Sequence, residues 1–229
     1  MYHVHRIADL ELPELAPYRT LKLPHEHRER GFFVAEGDRA RFFSPKLHHE
    51  MMSELRFTRR SALDSRDGID LDTLELSATD RAAFQIVRRG DVMGFVAAID
   101  GGRALGNASR KALAAASAAC LVRAPGHGRA GYFLAGRAMQ RIWLTATSLG
   151  LRLQPMSALF YLVARLEAEG DEAFEPRVRG MLGALRVQLR ALFPAREGFV
   201  DGMLFRLAHA GPPSARALRR RLDDVLRFA

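Results

Sequence analysis

Glycines and histidines are the residues of this chain whose spacing first suggests chemistry. The segment GHGRAG places Gly126, Gly128 and Gly131 at the spacing that cradles a dinucleotide phosphate. No acidic residue follows until Glu167, so the carboxylate that would bind a ribose is missing. The pattern keeps a nucleotide site as an alternative and favours an ordinary turn between a strand and a helix.

Three histidine pairs raise the question of a metal. HVH, HEH and HH place imidazoles at positions 3 and 5, 25 and 27, and 48 and 49. No cysteine or carboxylate accompanies them at ligand spacing, so we expect no metal ligands. The chain also lacks the G-x-S-x-G and G-x-x-x-x-G-K-[ST] signatures, and no catalytic residue can be assigned.

The net charge of +9 is concentrated in one segment. No Asp or Glu occurs between residues 101 and 166, and the segment carries nine basic residues. They are Arg103, Arg110, Lys111, Arg123, Arg129, Arg137, Arg141, Arg152 and Arg165. Such a field suits a phosphate-bearing ligand or a nucleic acid. Arginines on solvated faces that pair with acids elsewhere in the fold are the alternative.

Length and composition indicate one domain with a short appendage. The chain has 229 residues, 48% of them hydrophobic, and no apolar stretch approaches the roughly 20 residues that cross a bilayer. Its first residues lack the apolar core of a signal peptide. The single cysteine, Cys120, lies in a run of small residues that is typical of buried packing. We therefore expect a cytoplasmic protein without membrane segments.

Hydrophobic periodicity predicts many helices and a few short strands. The clearest helix covers residues 132–150 and is followed by a strand, LRLQP, that stops at Pro155. FFVA at 32–35 is strand-like, whereas RRSALDSR at 59–66 is typical of a solvated loop. Further helices are predicted at 45–57, 78–89, 107–119, 158–169, 175–193 and 215–228, with strands at 120–123 and 198–207. The pattern predicts an α+β fold with helices flanking a small sheet.

The first 38 residues resemble part of a known enzyme family. RIADLELPELAPYRTLKLPHEHRERGFFVAEGD, residues 6–38, is similar to the N-terminal substrate-binding segment of knotted RNA 2′-O-methyltransferases, and FVAEG is its most specific part. The glycine-rich loops and the serine-asparagine motif of that family's catalytic domain have no counterpart here. Residues 1–38 are therefore interpreted as an appendage, and methyl transfer is not expected.

Residues 39–229 resemble a second family, the nitroreductase-like flavoproteins. The similarity lies in DRARFFSPKLHHEMMSELRFT, RDGIDLDTLEL, AGRAMQRIWLTATSLGLRLQPMSAL and MLFRLAHAGPPSARALRRRLDDVL. The match is closest to the later half of a long-chain branch in which two related halves share one polypeptide. The resemblance implies a partial nitroreductase-like domain of the α+β class.

That resemblance implies a cofactor and a site. Members of the family bind FMN and pass a hydride from NAD(P)H to a small-molecule acceptor. The turn formed by Gln154, Pro155, Met156 and Ser157 would lie along the flavin ring and offer it backbone amides.

The closing basic segment would hold the phosphate. Arg219 matches the family's phosphate-binding arginine, Ala217 stands where relatives carry lysine, and Arg216 or Arg220 can compensate. The family's arginine-serine-arginine motif belongs to the first half and has no counterpart here. A descendant with weakened or lost FMN binding is therefore an alternative.

Two further expectations concern partners. Flavin sites of this family lie between two halves, so a chain that holds one half is expected to form a homodimer. The basic segment and the methyltransferase-like appendage leave a non-catalytic RNA-binding protein as the alternative function, and a structural remnant without either activity as the third.

Overall fold

A computed structural model describes residues 19–22, 31–156 and 158–226. Its α+β composition confirms the predicted fold class. The helices are α1 (Phe32–Phe43), α2 (Pro45–Glu54), α3 (Arg59–Ser65), α4 (Ala78–Val87), α5 (Gly90–Ala98), α6 (Asn107–Ala114), α7 (Gly128–Ser148), α8 (Ala158–Glu169), α9 (Pro176–Leu192) and α10 (Leu222–Val225). The strands are β1 (Arg19–Lys22), β2 (Leu55–Arg56), β3 (Ile69–Asp70), β4 (Ala118–Pro125), β5 (Arg152–Pro155) and β6 (Phe199–Ala208).

The chain divides into two compact units. Of the residues that the structure describes, the first holds residues 19–22, 31–40, 103–156 and 158–210, and the second holds residues 41–102 and 211–226. The boundary that the sequence suggested, between residues 38 and 39, lies within α1, and β1 from the predicted appendage pairs with β4. Among the described residues, no helix is long and apolar enough to span a bilayer.

The first unit is built on an antiparallel sheet with the strand order β1-β4-β6-β5. Every residue of β4 from Ala118 to Ala124 is buried, as expected for a central strand covered on both faces. Pro155 ends β5, and a proline is tolerated there because β5 is an edge strand.

One face of the sheet packs against α7. Ala118, Cys120 and Val122 of β4 form one buried cluster with α7 residues that include Ala138 and Ile142. This confirms the buried packing position expected for Cys120. Helices α8 and α9 pack together, and α8 contacts β6.

The glycine-rich turn lies partly inside α7. The helix starts at Gly128, one turn earlier than predicted, so Gly131 is helical. Gly126 and Gly128 have φ values of 107° and 50°, a backbone conformation that favours glycine at both positions. A β-carbon on Gly131 would stand 2.9 Å from Val200, so this glycine serves close packing within the unit.

In the second unit, side-chain hydrogen bonds cap the first turns of α2 and α3. Ser44 accepts a hydrogen bond from the Leu47 amide (3.3 Å), and Pro45 occupies the first helical turn, as predicted. Thr58 and Ser61 form a capping box that starts α3. The prediction of a solvated loop at 59–66 is therefore wrong. The capping box provides hydrogen-bond partners for backbone amides at the start of α3, and this stabilises the helix.

Two other local predictions are wrong in part or in whole. FFVA lies in α1 rather than in a strand, because burial of Phe33 and Val34 overrides their strand propensity. The helix predicted to run to residue 119 ends at Ala114, and the fully buried Ala118 and Ala119 belong to β4.

The closing helix predicted at 215–228 is reduced, within the described residues, to one turn, α10. Its apolar residues Leu222 and Val225 are 66% and 57% exposed, so no buried face stabilises a longer helix.

Candidate functional site

An irregular strand pairing marks the first unit. Val122 of β4 opposes Met203 of β6, whereas the next residue, Arg123, opposes Asp201. One residue of β6 is therefore extra, which defines a β-bulge. Bulges bend a strand and redirect its side chains, and they are over-represented beside functional sites.

The extra residue is Gly202, and it brings α7 directly against β6. A β-carbon on Gly202 would collide with the β-carbon of Ala135 on α7, so only glycine allows this approach. A cavity of about 340 Å³ opens beside the contact, which we call the tyrosine cavity. Its walls come from α7, α8 and β6: Tyr132, Ala135, Gly136, Tyr161, Ala164, Gly202 and Met203.

The tyrosine cavity begins where β5 stops. Pro155, the last residue of β5, opposes Phe205, and the amide of Met156 donates a hydrogen bond to the Leu204 carbonyl (2.8 Å). The next residue of β6, Met203, already lines the cavity. The mostly apolar lining and the volume match those of small-molecule sites.

A partly buried ionic cluster adjoins the cavity. Asp201 accepts hydrogen bonds from Nε of Arg123 (2.7 Å) and from Nη1 of Arg190, whose Nη2 also reaches Glu167 (3.1 Å). The side chains of Arg123 and Asp201 are only 7% and 11% exposed. Nη2 of Arg123 is buried without a hydrogen-bond partner in the described part of the chain. We call these four residues the Asp201 cluster.

Tyr132 borders both the tyrosine cavity and the Asp201 cluster. It lines the tyrosine cavity and also a smaller space of about 160 Å³ bordered by Glu167, Arg190 and Asp201. Burial and then the negative charges of Asp201 and Glu167 raise the pKa of the Tyr132 hydroxyl. The hydroxyl is therefore protonated at neutral pH and can donate a hydrogen bond. Burial opposes protonation of Arg190, but its bonds to Asp201 and Glu167 prevail and raise its pKa.

The predicted flavin turn leads into α8, which contributes Tyr161 and Ala164 to the tyrosine cavity, but none of Gln154, Pro155 and Met156 lines the cavity itself. The Met156 amide is used by Leu204, and Ser157 lies outside the described residues. The Gln154 side chain accepts a hydrogen bond from Nε of Arg206 (2.6 Å), whose Nη1 donates to the Ala112 carbonyl (2.9 Å). Burial lowers the pKa of Arg206.

The predicted phosphate residues lie in the other unit. Arg216, Arg219 and Arg220 are exposed and belong to an irregular segment before α10. The carbonyl of Arg219 accepts a hydrogen bond from Nε of Arg66 (2.9 Å). The turn and the arginines therefore belong to separate compact units.

The acid-free segment is not a uniform basic surface. Arg123 is buried in the Asp201 cluster, and Arg165 forms an ion pair with Glu169 (3.1 Å). Arg110 donates a hydrogen bond to Asn107 (2.9 Å). Nucleic-acid binding therefore stays a prediction.

Sequence reasoning missed Tyr132, Tyr161 and the Asp201 cluster. One signal was present: Gly202 lies inside the predicted strand 198–207, and a glycine inside a strand indicates a bulge or a close backbone approach. The pairing of Arg123 with Asp201 was not readable, because 78 residues separate the two partners.

A second cavity, of about 310 Å³, lies within the second unit, and we call it the His48 cavity. It is lined by Phe42, Phe43, Pro45, His48, His49, Met52, Arg88, Gly90, Met93 and Gly94. His48 is 5% exposed, and its Nε2 lies 2.8 Å from the carbonyl oxygen of Val87. The lining of the His48 cavity therefore contains one buried imidazole and two methionines.

Part of the exposed surface of α7 is apolar, although Arg129, Arg137 and Arg141 of the same helix are also exposed. Phe133 and Leu144 are 68% and 61% exposed, and Tyr132 and Trp143 are also accessible. We call this surface the α7 face. It consists of Tyr132, Phe133, Gly136, Gln140, Trp143, Leu144 and Thr147. Exposed apolar patches of this kind mark interaction surfaces.

Comparison with known proteins gives one relative of note. The chain is 39% identical over 188 residues to the uncharacterized protein MT1398 of Mycobacterium tuberculosis (strain CDC 1551 / Oshkosh). The aligned part covers 82% of this chain and 26% of the relative, so the chain spans about a quarter of that protein's length. No protein-family model matches the chain, and no solved structure gives a significant match.

Proposed function

We propose that this chain is a nitroreductase-like, FMN-binding oxidoreductase that uses NAD(P)H to reduce a small-molecule acceptor. The observation that supports the proposal is the tyrosine cavity, because two of its lining residues belong to α8, the helix that follows the turn assigned to the flavin ring by the family resemblance. Bound FMN would supply hydride transfer between the nicotinamide and the acceptor.

The tyrosine cavity fits the ring system of a flavin in size and chemistry. Its volume of about 340 Å³ and its apolar lining suit a planar aromatic group. The rings of Tyr132 and Tyr161 offer stacking surfaces, and the protonated hydroxyl of Tyr132 can donate a hydrogen bond. These side chains would position the ring and exclude water from it.

The turn after β5 would position the ring's polar edge. Because the Met156 amide is already bonded to Leu204, the available donors are the first amides of α8, which have no partner within a helix. Gln154 is held by Arg206, so its role is to fix the turn. Arg216, Arg219 and Arg220 remain the proposed phosphate ligands, supported by their exposure and by the affinity of guanidinium groups for phosphate.

The protein is proposed to act as a homodimer. Tyr132 and Gly136 belong both to the α7 face and to the tyrosine cavity. A second copy packed on the α7 face would bury its aromatic residues and cover the cavity. This arrangement agrees with the expectation that two halves complete a flavin site.

An FMN titration with matched glycine variants tests the proposal. Gly136 lines the tyrosine cavity and Gly180 lies in α9, and at both positions a β-carbon meets open space. We expect wild type to bind FMN with Kd below about 10 µM, Gly136→Leu to weaken binding about tenfold or more, and Gly180→Leu to leave it unchanged.

Both substitutions remove a helical glycine, so both variants should fold. Light scattering shows whether Gly136→Leu also alters the oligomeric state. The proposal fails if wild type binds no FMN at tens of micromolar, or if both variants bind as wild type does.

A further inference from the structure

We propose that the His48 cavity is a binding site for a cuprous ion, Cu(I), with Nδ1 of His48 and the thioether sulfurs of Met52 and Met93 as ligands. All three side chains line this one cavity, and all three belong to the second unit. The inference is independent of the proposed flavin chemistry.

The hydrogen bond of His48 fixes the state of its ring. The Val87 carbonyl can only accept, so Nε2 carries the proton and Nδ1 of the neutral ring carries a lone pair. A β-carbon built on Gly90 would lie 4.0 Å from Nδ1, which places this nitrogen beside a residue without a side chain. Histidines that bind metals typically donate their other N–H to a carbonyl or carboxylate, as His48 does.

Two methionines complete a soft donor set. Met52 lies one helical turn after His48 on α2, so both side chains are on the same face of that helix. Met93 comes from α5, is the one buried residue of that helix and is 2% exposed. The exposed His49 also lines the cavity and could provide a fourth ligand.

The ligand chemistry selects the metal. Thioether and imidazole donors suit Cu(I), whereas Mg²⁺ and Ca²⁺ require oxygen donors. No Asp, Glu or Cys lines the His48 cavity, and no cluster of three His, Cys, Asp or Glu side chains occurs in the described part of the chain. The charged residue at the rim, Arg88, is exposed and stacks over the Phe57 ring at 5.4 Å.

The sequence expectation of no metal site considered cysteine and carboxylate partners only. Met93 is 45 residues away from His48 along the chain, and α5 brings it to the cavity. A thioether site assembled from two helices has no short motif by which it could be recognised.

Anaerobic titration with Cu(I) in competition with bicinchoninate tests the site on the full chain. We expect one Cu(I) per chain with sub-micromolar affinity, weakened about tenfold or more in Met93→Leu. Met139→Leu is the matched control, because Met139 is 3% exposed but lies in the core of the first unit. Both substitutions conserve volume and should preserve folding.

Nuclear magnetic resonance of ¹³C-methyl methionine provides a second measurement on wild type. Addition of Cu(I) is expected to shift the methyl signals of Met52 and Met93 and to leave that of Met139 in place. The proposal is overturned if Cu(I) does not bind, if Met93→Leu binds it as tightly as Met139→Leu does, or if the Met52 and Met93 signals do not respond.

Discussion

Asp201 provides the carboxylate that pairs with two arginines in the interior of the first unit. This carboxylate accepts hydrogen bonds from both Arg123 and Arg190, which belong to β4 and α9, and both bonds are largely shielded from water. Burying a charge is costly unless it is paired, so the loss of one partner exposes the full desolvation cost of the others. The Asp201 cluster therefore ties a strand to a helix beside the tyrosine cavity.

Asp201→Asn is expected to reduce the free energy of unfolding by about 3–5 kcal/mol, because Arg123 and Arg190 lose their shared carboxylate. Urea denaturation followed by circular dichroism measures the loss. The matched control is Asp91→Asn, which breaks an ion pair whose side chains are 64% and 66% exposed and should therefore cost far less, because solvent screens an exposed pair. Equal effects of the two substitutions would contradict a stabilising role for the Asp201 cluster.

At the scale of single residues, the sequence located the end of β5 but not the residues that line the tyrosine cavity. The turn at Pro155 was predicted from the run LRLQP, because a proline ends a strand locally. The use of the Met156 amide by Leu204 depends on β6, which lies almost 50 residues later. Such long-range hydrogen bonds decide which backbone groups are free, and they leave no local signal.

The contact between β6 and α7 is the element-scale feature that shapes the site. The bulge at Gly202 allows α7 to approach, and the tyrosine cavity opens beside this contact. A side chain at this position would push the helix and the strand apart. The shape of the cavity is therefore coupled to one backbone position.

Gly202→Ala is expected to destabilise the protein by about 1–3 kcal/mol, because its methyl group would collide with Ala135. Gly180→Ala, at an open position in α9, should instead stabilise it by about 0.5–1 kcal/mol. Thermal unfolding of the two variants gives both signs. An unchanged melting temperature in Gly202→Ala would show that the close approach of α7 is not required.

Two helices with a buried apolar face, α7 and α9, were predictable, whereas the closing helix, which lacks such a face, was predicted too long. The period of α7 and the proline at the start of α9 gave both helices to within a few residues. The predicted closing helix has the same amphipathic pattern, but Leu222 and Val225 remain exposed and only α10 forms. A pattern predicts where a helix can form, whereas burial decides whether it does.

At the scale of the whole molecule, the α7 face is the surface on which the dimer proposal depends. It carries four exposed aromatic or aliphatic side chains, and the exposed Arg137 and Arg141 belong to the same helix. A two-fold dimer would pair this surface with itself, because a two-fold interface uses the same patch on both subunits.

Leu144→Arg is expected to convert a homodimer into a monomer, because it places a charge at the centre of an apolar interface. Val187→Arg is the matched control, since Val187 is 68% exposed but lies on α9. Light scattering at micromolar concentration distinguishes the two states. A monomeric wild type, or two variants with the same mass, would exclude the α7 face as the dimer interface.

The visible absorption spectrum of the purified protein is the decisive test of FMN binding. After incubation with FMN and removal of free flavin by gel filtration, the proposed function predicts a yellow protein with about one flavin per chain. The same treatment of Gly136→Leu should leave much less flavin bound, because leucine occupies the tyrosine cavity. A colourless wild-type protein would contradict the assignment as an FMN-dependent oxidoreductase.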